Sequence, residues 1–535
     1  MTSTTTPPAV ARAKTAHVGQ GRISRWLAPS FFDLILLSVP AWLFFSGGAG
    51  FSRLLLDGDT GWHIRVGEWI LQHRQIPQVD FLSFTMPGQP WFAWEWLAEL
   101  IYGLLMQAWG LKGVLWISAL LFMAFAGILL RNLAWRGAHL FVALPLTMLA
   151  TSVGTMHLLA RPHLFTLVLL PIFLWMAQAD LRRPSRWIWT LVPLTVLWTN
   201  LHGGWLGGVA SLGILAAGLA AEAWLGQRSW FAARRFALLT AACFAASIVN
   251  PFTWKLHVHV LGYMGNDWIK EVVQEFQSPT FRGENMLQFE ILLFGGILAS
   301  ALLLRRRRVA EPLLILFWAH QSLVSARHAL LFAIVVLPAL ADLLMEAWNA
   351  WTRSAHRKSI PGILNSLAWD CQPALRRTSL WVAVIVLGVL APSVPAPWPN
   401  TFPTEKFPVA IAEQYRELLV SKRTFTNDDW ADFLLFANYP GQRVFFDGRS
   451  DFYGEKLGND YLKLIKGSYE WQEIIDRHQI EVVLVSPQTG LSSVLKIHPD
   501  WTVLEDNGLE ILFERRPGSS KRLQSALMKS PVPAE

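Results

Sequence analysis

The chain has 535 residues, of which 53% are hydrophobic and only 16% charged, with a formal net charge of +8. Because a soluble globular chain carries about 25% charged residues, this composition excludes an ordinary soluble protein and favours a membrane protein. The 28 tryptophans fit many membrane–water interfaces. Positive cytoplasmic loops would explain the net charge without nucleic acid, and the two cysteines, Cys243 and Cys371, imply no disulfide framework.

The chain begins with a basic tail rich in threonine and alanine, 1–29, which we predict to be cytoplasmic. An apolar run at 30–48 comes next. No A-x-A-like cleavage site closely follows this run, so we interpret it as a retained signal anchor.

Further apolar runs of about 16 to 21 residues, close to the ~20 that span hydrocarbon, continue as far as residue 395. They predict about eleven transmembrane helices in a membrane domain covering 30–395. The runs lie at 30–48, 112–130, 138–158, 162–179, 187–202, 205–225, 234–249, 288–304, 309–326, 328–348 and 379–395. Another apolar stretch, 92–110, carries Glu95 and Glu99, and we expect it to lie along the membrane surface within a long first loop, 49–111.

The basic residues favour this topology. If 92–110 does not cross the membrane, most basic residues of the membrane domain lie in cytoplasmic loops, as the positive-inside rule requires. The amino terminus is then cytoplasmic and the carboxyl terminus extracytoplasmic. The opposite choice would place the run Arg305–Arg308 outside.

This topology gathers the unusual polar residues at the extracytoplasmic face. They lie in the first loop and in the outer connections between later spans: Asp57, Asp59, His63, Arg161, His163, Asn200, His202, Asn250, His257, His259, Glu271, Glu275, Arg327 and His328. Ionisable groups near hydrocarbon are costly unless they face water, a partner or a substrate. Their shared location therefore predicts an extracytoplasmic active site.

The character of the chain changes near Thr401, after a proline-rich linker with Pro392, Pro395, Pro397, Pro399 and Pro403. We predict a small extracytoplasmic α/β domain over 396–516 and a disordered tail over 517–535. Its predicted strands are 443–447, 481–485, 501–504 and 510–514, the last two joined by a turn at 506–508, and its predicted helices are 456–465 and 469–478. The polar segments 427–430 and 447–451 are typical of Asx turns and strand-end loops, with a sugar-contacting surface as the alternative.

These motifs resemble the GT-C superfamily of membrane glycosyltransferases, which use polyprenyl-phosphate-linked sugars. The general likeness is an acidic motif directly after the first span, followed by a juxtamembrane helix and many further spans. The segments Asp57–His63, Arg161–His163, Asn200–Gly204 and Phe446–Arg449 more closely resemble a group of bacterial multi-pass GT-C-like membrane proteins. This resemblance implies a cell-envelope enzyme of the bacterial inner membrane, a hexosyl- or pentosyltransferase whose partners are membrane lipids and a polyprenyl-phosphate sugar donor.

The acceptor stays open between lipid, glycan and protein, because the chain lacks the proline-rich acceptor-loop signature of the protein mannosyltransferases. Two other functions also stay open. A transporter or flippase would bind the same lipid-linked saccharide without reaction, but no inverted repeat is visible. A non-catalytic scaffold would leave the first-loop motif unexplained.

The residue types suit inverting sugar transfer. The resemblance implies a first-loop aspartate as the base, and we prefer Asp59 over Asp57 because Thr60 and His63 follow it and could orient it. The alternative is that Asp57 and Asp59 only cap a helix.

An arginine fork can hold the phosphate of the leaving lipid through two hydrogen bonds. We therefore predict a substrate- and phosphate-binding set of His63, Arg161, His163, His202, Arg327 and His328, with anchoring of each arginine in lipid headgroups as the alternative. No cofactor is certain. A divalent metal on His257 and His259 with a carboxylate such as Asp59 is possible, but two wet histidines on an interfacial helix are favoured.

Overall fold

The computed structural model describes residues 26–45, 49–389 and 398–517. Most of the predicted cytoplasmic tail, the prolines Pro392, Pro395 and Pro397 of the linker, and 518–535 of the predicted disordered tail lie outside the described residues.

Long apolar helices build most of the molecule, and each predicted apolar run lies on at least one of them. They are Phe31–Phe45, Leu111–Arg136, Leu140–Gly154, His163–Arg182, Leu191–Leu201, Trp205–Trp224, Trp230–Ala246, Met286–Arg305, Ala310–Val324, Ala329–Thr352 and Trp381–Val384, the last continued by a π-helical turn, Ile385–Val389. Within the described part of the chain, five segments are long and apolar enough to cross a membrane: Leu111–Arg136, His163–Arg182, Trp205–Trp224, Met286–Arg305 and Ala326–Thr352. A helical membrane protein is therefore confirmed, while the number of about eleven spans stays a prediction.

Shorter helices lie in the connections between these apolar helices. They are Ala49–Arg53, Asp59–His73, Trp96–Trp109, Trp254–Gly265, Asp267–Val272 and Ile360–Leu375, with 3-10 turns at Thr155–His157, Arg186–Thr190, Gln274–Phe276 and Ala326–His328. The helix Trp96–Trp109 has 14 residues, which corresponds to about 21 Å at 1.5 Å per residue. That is shorter than the ~30 Å hydrocarbon core of a bilayer.

The carboxyl-terminal part contains a four-stranded sheet. Its strands are β1 (Thr424–Thr426), β2 (Val482–Val485), β3 (Trp501–Asp506) and β4 (Ile511–Arg515), in the order β1-β2-β4-β3. Strands β1 and β2 pair in parallel, and β4 is antiparallel to both β2 and β3. The helices here are Val409–Gln414, Arg416–Ser421, Asp428–Asn438, Ser450–Lys466, Trp471–His478 and Gly490–Ile497.

The predicted elements of this part are mostly present. Strands β2, β3 and β4 and the two predicted helices lie where the sequence places them, and Gly508 has the positive φ of 88° that the turn requires. The predicted strand 443–447 is wrong as a sheet strand, because its Val444 forms only an isolated bridge with Ser83 of the first loop. Asn427 caps the helix Asp428–Asn438 by accepting a hydrogen bond from the Trp430 amide, as expected of an Asx turn.

The first loop and the carboxyl-terminal part share one apolar core. Trp62 and Val66 of the helix Asp59–His73 pack with Trp91, with Leu435 of the helix Asp428–Asn438, and with Val444. Backbone hydrogen bonds join the same two segments, with Phe84 donating to the Val444 carbonyl and Val444 donating to that of Leu82. The carboxyl-terminal part therefore lies directly over the acidic motif.

Candidate functional site

The acidic motif lies at the beginning of the helix Asp59–His73, where two glycines let another helix approach closely. A Cβ atom at Gly58 would overlap the Asp429 carbonyl oxygen, and one at Gly61 would lie 2.5 Å from the carbonyl oxygen of Asp432. The Gly58 amide also donates a 2.7 Å hydrogen bond to the Asp429 carboxylate. This contact sets the Asp59 side chain against the helix Asp428–Asn438.

Arg161 joins the two aspartates of the motif. Its guanidinium lies 2.7 Å from Asp57 Oδ2 through Nη1 and 2.6 Å from Asp59 Oδ2 through Nη2. Asp57 Oδ1 also accepts a 2.9 Å hydrogen bond from the Asp59 amide. The residues predicted from the first loop and from the Arg161–His163 segment thus meet in space.

Glu275 extends this group to the second predicted arginine. Its carboxylate lies 3.3 Å from Arg161 Nη1 and 3.8 Å from Arg327 Nη2. The Arg327 guanidinium also stacks over Phe276, with 4.4 Å between Cζ and the ring centroid. We call Asp57, Asp59, Arg161, Glu275 and Arg327 the carboxylate–arginine cluster.

The helix Asp428–Asn438 contributes one more acidic group, Asp432. Its side chain lies next to the Asp59 carboxyl group and accepts a hydrogen bond from the Gly448 amide, with N–O distances of 3.2 and 3.3 Å. A Cβ atom at Gly448 would overlap Asp59 Oδ1 and lie 3.0 Å from Asp432 Oδ2. Gly448 therefore allows both carboxyl groups to approach the same stretch of backbone.

Burial and neighbouring charges set the ionisation of these acids. Burial raises the pKa of Asp59 to about 7, with Arg161 acting in the opposite direction and Asp57 adding to the rise. For Glu275, burial alone would disfavour the carboxylate, but Arg161 and Arg327 overcome it and lower its pKa to about 2. Asp59 is consequently the member of the carboxylate–arginine cluster that takes up and releases a proton near neutral pH.

A second polar group forms around Glu95, and we call His63, Glu95, Glu99 and His202 the histidine–glutamate cluster. His63 Nε2 lies 3.6 Å from Glu95 and its Nδ1 lies 3.3 Å from Glu99, while His202 Nε2 lies 3.4 Å from Glu95. Burial raises the pKa of Glu95 to about 8. Burial also lowers the pKa of His202 to about 3 and that of His63 well below its usual value.

The Asn200–Gly204 turn holds this second cluster in place. Asn200 accepts a 2.8 Å hydrogen bond from the Trp96 indole, and the Gly204 amide donates a 2.9 Å bond to His202 Nδ1. Because a backbone amide is always a donor, Nδ1 of the neutral ring carries no proton, and the ring proton is on Nε2, facing Glu95.

Arg449 fixes the carboxyl-terminal part to the first loop. It is buried, binds Asp447 through Nε at 2.8 Å and Nη2 at 2.7 Å, and binds Asp80 through Nη2 at 2.8 Å. Its guanidinium also stacks over Trp91, 4.6 Å from the ring centroid. The Phe446–Arg449 segment is thus a structural clamp in addition to supplying Gly448.

The remaining predicted histidines have partners inside the protein. His163 Nε2 donates to the His157 carbonyl at 2.7 Å, and His328 Nδ1 donates to the Gln321 carbonyl at 3.3 Å. His63 and Thr60 do not orient Asp59 as expected, because Thr60 donates to the Ala160 carbonyl and His63 belongs to the histidine–glutamate cluster. Arg161 contacts Asp59 instead.

The arrangement does not fit the possible metal. His257 pairs with Ser247 and His259 with Asp451, both at 2.8 Å, so the two rings do not converge on Asp59. In the described ranges no group of three or more histidine, cysteine, aspartate or glutamate side chains is arranged to hold a metal ion. Arg161 already pairs with Asp57, Asp59 and Glu275, and a divalent cation stays a prediction.

Sequence reasoning missed Asp432, and it placed Glu95 and Glu99 only as charges in an ambiguous stretch. Asp432 lies in the middle of an amphipathic helix, where an acidic residue is normally solvated. The available signal was the pair of glycines Gly58 and Gly61, whose spacing permits close helix contact but does not identify the partner helix.

Comparison with known proteins places this geometry on a known fold. No protein-family model and no curated protein matches the chain. Among solved structures, the archaeal oligosaccharyltransferase AglB from Archaeoglobus fulgidus, in complex with an inhibitory peptide and a dolichol-phosphate, superposes with a TM-score of 0.50 at 12% identity over 85% of this chain and 69% of that one. The chain has the GT-C fold.

A second similar structure is ArnT from Cupriavidus metallidurans bound to undecaprenyl phosphate. It matches with a TM-score of 0.45 and 14% identity over 90% of this chain and 97% of that one. The predicted GT-C resemblance is confirmed as a fold by the AglB match, and the weaker ArnT match adds nothing to that conclusion. Identities this low carry over no residue roles.

Proposed function

We propose that this protein transfers a sugar from a polyprenyl-phosphate-linked donor to an extracytoplasmic acceptor in the bacterial inner membrane. The observation that carries the proposal is the Asp59 carboxyl group, which has a pKa of about 7, pairs with Arg161, and is linked through Arg161 and Glu275 to Arg327. A carboxyl group with this pKa is ionised often enough at neutral pH to accept a proton. The GT-C fold shared with AglB, whose structure contains a dolichol-phosphate, adds support.

The proposed reaction is an inverting displacement. Asp59 accepts the proton of an acceptor hydroxyl group as the hydroxyl oxygen attacks the anomeric carbon of the sugar. The bond between that carbon and the phosphate oxygen breaks, and its electron pair leaves with the polyprenyl phosphate. Arginine side chains stabilise the charge on this phosphate, since their planar fork matches two phosphate oxygens.

The two arginines differ in how free they are for this role. All three contacts of Arg161 within the carboxylate–arginine cluster are to carboxylates, at 2.6, 2.7 and 3.3 Å. Arg327 has one long ion pair with a carboxylate, at 3.8 Å, and its other neighbours are uncharged rings, Phe276 and Tyr263. We therefore assign Arg327 to the leaving phosphate and Arg161 to holding Asp57 and Asp59.

The four predicted histidines support the site in this proposal. His63, His163, His202 and His328 each have a polar partner within the protein. We propose that they shape the wall against which the donor lies, with His63 and His202 acting through Glu95.

Replacing Asp59 with asparagine tests the proposal. Asp59→Asn keeps the shape of the side chain but removes the proton acceptor, so transfer should fall by about 10²–10⁴-fold, the usual contribution of a general base. The measurement is release of undecaprenyl phosphate from a panel of undecaprenyl-phosphate-linked hexoses and pentoses by the protein in proteoliposomes.

Asp57→Asn and Asp267→Asn are the matched controls. Asp57 binds Arg161 and the Asp59 amide, so its loss should reduce transfer less, and the exposed Asp267 should have no effect. Full activity of Asp59→Asn with an inactive Asp57→Asn would reverse the assignment. A wild-type protein that moves the donor across the bilayer intact would support the flippase alternative.

A further inference from the structure

Asp432 and Asp59 lie far apart in the sequence, yet their carboxyl groups reach the same point of the backbone: a Cβ atom at Gly448 would overlap Asp59 Oδ1 and lie 3.0 Å from Asp432 Oδ2. Both are buried, with relative exposures of 1% and 8%. Two buried carboxylates in contact cannot both be ionised, because neither can donate a hydrogen bond and their charges repel. One proton must therefore lie between them.

The surrounding contacts indicate which of the two holds the proton. Asp59 Oδ2 is paired with Arg161 at 2.6 Å, and this ion pair stabilises a carboxylate. Among the described residues, no cation lies within hydrogen-bonding distance of Asp432, which accepts the weaker Gly448 amide at 3.2 and 3.3 Å. Burial, together with Asp59 and Asp447, raises the pKa of Asp432 well above its usual range.

The charge balance of the site leads to the same assignment. The groups that face Asp59 are Arg161 and the acids Asp57, Glu275 and Asp432, with Glu95 close enough to interact. Asp447 faces Asp432 from the other side, but Arg449 neutralises it. The carboxylate–arginine cluster contains three carboxylates and only two arginines. A further negative charge on Asp432 would therefore have no positive charge to compensate it.

We propose that Asp432 is a protonated positioning residue, whose carboxylic O–H donates a hydrogen bond to Asp59 Oδ1 while Arg161 holds Asp59 Oδ2. The two contacts fix the plane of the Asp59 carboxylate and keep it ionised. The carboxyl-terminal part thereby completes the acidic motif of the first loop. That this carboxylate then acts as a base rests on the proposed function, but the shared proton does not.

Gly448 is the structural reason that this pair can form. Any side chain at this position would overlap Asp59 Oδ1, and the amide of Gly448 orients Asp432. The Phe446–Arg449 segment, clamped by Arg449 on Asp80 and Asp447, therefore serves the pair directly.

Infrared difference spectroscopy on the purified full-length protein tests the proposal without donor or acceptor. The spectra are recorded at about pH 8, above the pKa of about 7 of Asp59. The spectrum of the wild type minus that of Asp432→Asn should show the carbonyl-stretching band of a protonated carboxylic acid. Asp506→Asn is the control: its exposed carboxylate pairs with Lys496, so the corresponding difference spectrum should lack this band. Absence of the band in the Asp432→Asn difference would overturn the proposal.

A pH titration separates a positioning residue from a merely structural one. In the wild type, the carboxyl group of Asp59 should titrate near pH 7, and this titration should be absent from Asp59→Asn. Asp432→Leu removes the donor, so this midpoint should rise by about one to two pH units. Asp432→Asn retains an N–H donor and should leave the midpoint near its original value.

An unshifted midpoint in folded Asp432→Leu would show that Asp432 does not stabilise the Asp59 carboxylate and would overturn the proposal. If the leucine variant does not fold, Asp432→Ala, which also lacks a hydrogen-bond donor, replaces it in the titration. If the protein has no transferase activity, the donor assay shows it, while the two infrared results do not depend on that activity. The proposed function and the proposed role of Asp432 can therefore fail separately.

Discussion

Arg161 and Arg327 have similar sequence contexts, an arginine within two residues of a histidine beside an apolar run, but different surroundings. Arg161 contacts Asp57, Asp59 and Glu275, so its charge is already shared among three acids. Arg327 is attached to Glu275 by one ion pair of 3.8 Å. An incoming phosphate would compete with fewer carboxylates at Arg327 than at Arg161.

We therefore expect Arg327→Ala to weaken binding of undecaprenyl phosphate by about 10- to 100-fold, the value of charge-assisted hydrogen bonds. Arg327→Lys should retain part of the affinity, since it keeps the charge but loses the fork. The measurement is equilibrium binding of undecaprenyl phosphate to the protein in detergent. Arg282→Ala, which replaces an exposed arginine of the connection that carries Glu275, is the control and should bind like the wild type. Wild-type affinity in Arg327→Ala would assign Arg327 to anchoring alone.

The sequence singled out most residues of the carboxylate–arginine cluster, but not Asp432 beside it. Asp57, Asp59 and Arg161 stand in short motifs, where charged residues flank long apolar runs and so need an explanation. Asp432 stands in a helix with no such anomaly, and only its three-dimensional position next to Asp59 makes it unusual. Tertiary proximity of that kind is not encoded in local spacing.

Among the elements, the helix Asp59–His73 is held on two sides by glycine contacts. Gly61 meets the Asp432 carbonyl of the helix Asp428–Asn438, while a Cβ atom at Gly67 would overlap the Glu99 carbonyl of the helix Trp96–Trp109. The acidic motif thus has a packing role in addition to its chemistry, because both glycines bring a carboxyl-bearing helix toward Asp59 and His63.

Gly61→Ala should destabilise the protein by about 1–3 kcal/mol, the cost of overpacking a close contact, partly offset by about 1 kcal/mol of helix propensity. The added Cβ would lie 2.5 Å from a backbone oxygen that cannot rotate away. Gly262→Ala is the matched control, since its Cβ would meet no atom within 4 Å, and it should be neutral or stabilising. Thermal unfolding in detergent measures both. Equal melting temperatures for the two variants would contradict the close packing.

The sequence predicted elements better than it predicted their contacts. Apolar length and turn residues suffice to find the long helices and strands β2 to β4, because these signals are local. The three-residue strand β1 and the helix Asp428–Asn438 have no strong periodic signal, and they are stabilised by packing on the first loop and the sheet. The segment 443–447 has strand-like composition, but it pairs with the first loop instead of the sheet.

For the whole molecule, charged contacts separate toward two ends of the helical bundle. Arg136 at the end of the helix Leu111–Arg136 binds Asp342 and Gln178, and Arg306 binds Glu346. The carboxylate–arginine cluster lies at the other ends of these helices, under the carboxyl-terminal part. This separation matches the basic cytoplasmic face that the positive-inside rule predicts.

The predicted topology places the first loop and the carboxyl-terminal part together outside the cytoplasm. Their shared apolar core and the bridge between Ser83 and Val444 require both parts to lie on the same side of the membrane, whichever side that is.

Cysteine labelling tests this topology. With Cys243 and Cys371 replaced by alanine, Gln89→Cys and Ile497→Cys should react with a membrane-impermeant maleimide on intact cells. Gln227→Cys, between two apolar helices at the basic end, should react only after the membrane is permeabilised. All three positions are exposed, so protection reports the membrane and not burial. If Gln89→Cys is labelled and Ile497→Cys is not, the packing of the two parts is contradicted. If only Gln227→Cys is labelled, the orientation is inverted. The Asp59 site would then lie in the cytoplasm, where an extracytoplasmic acceptor could not reach it.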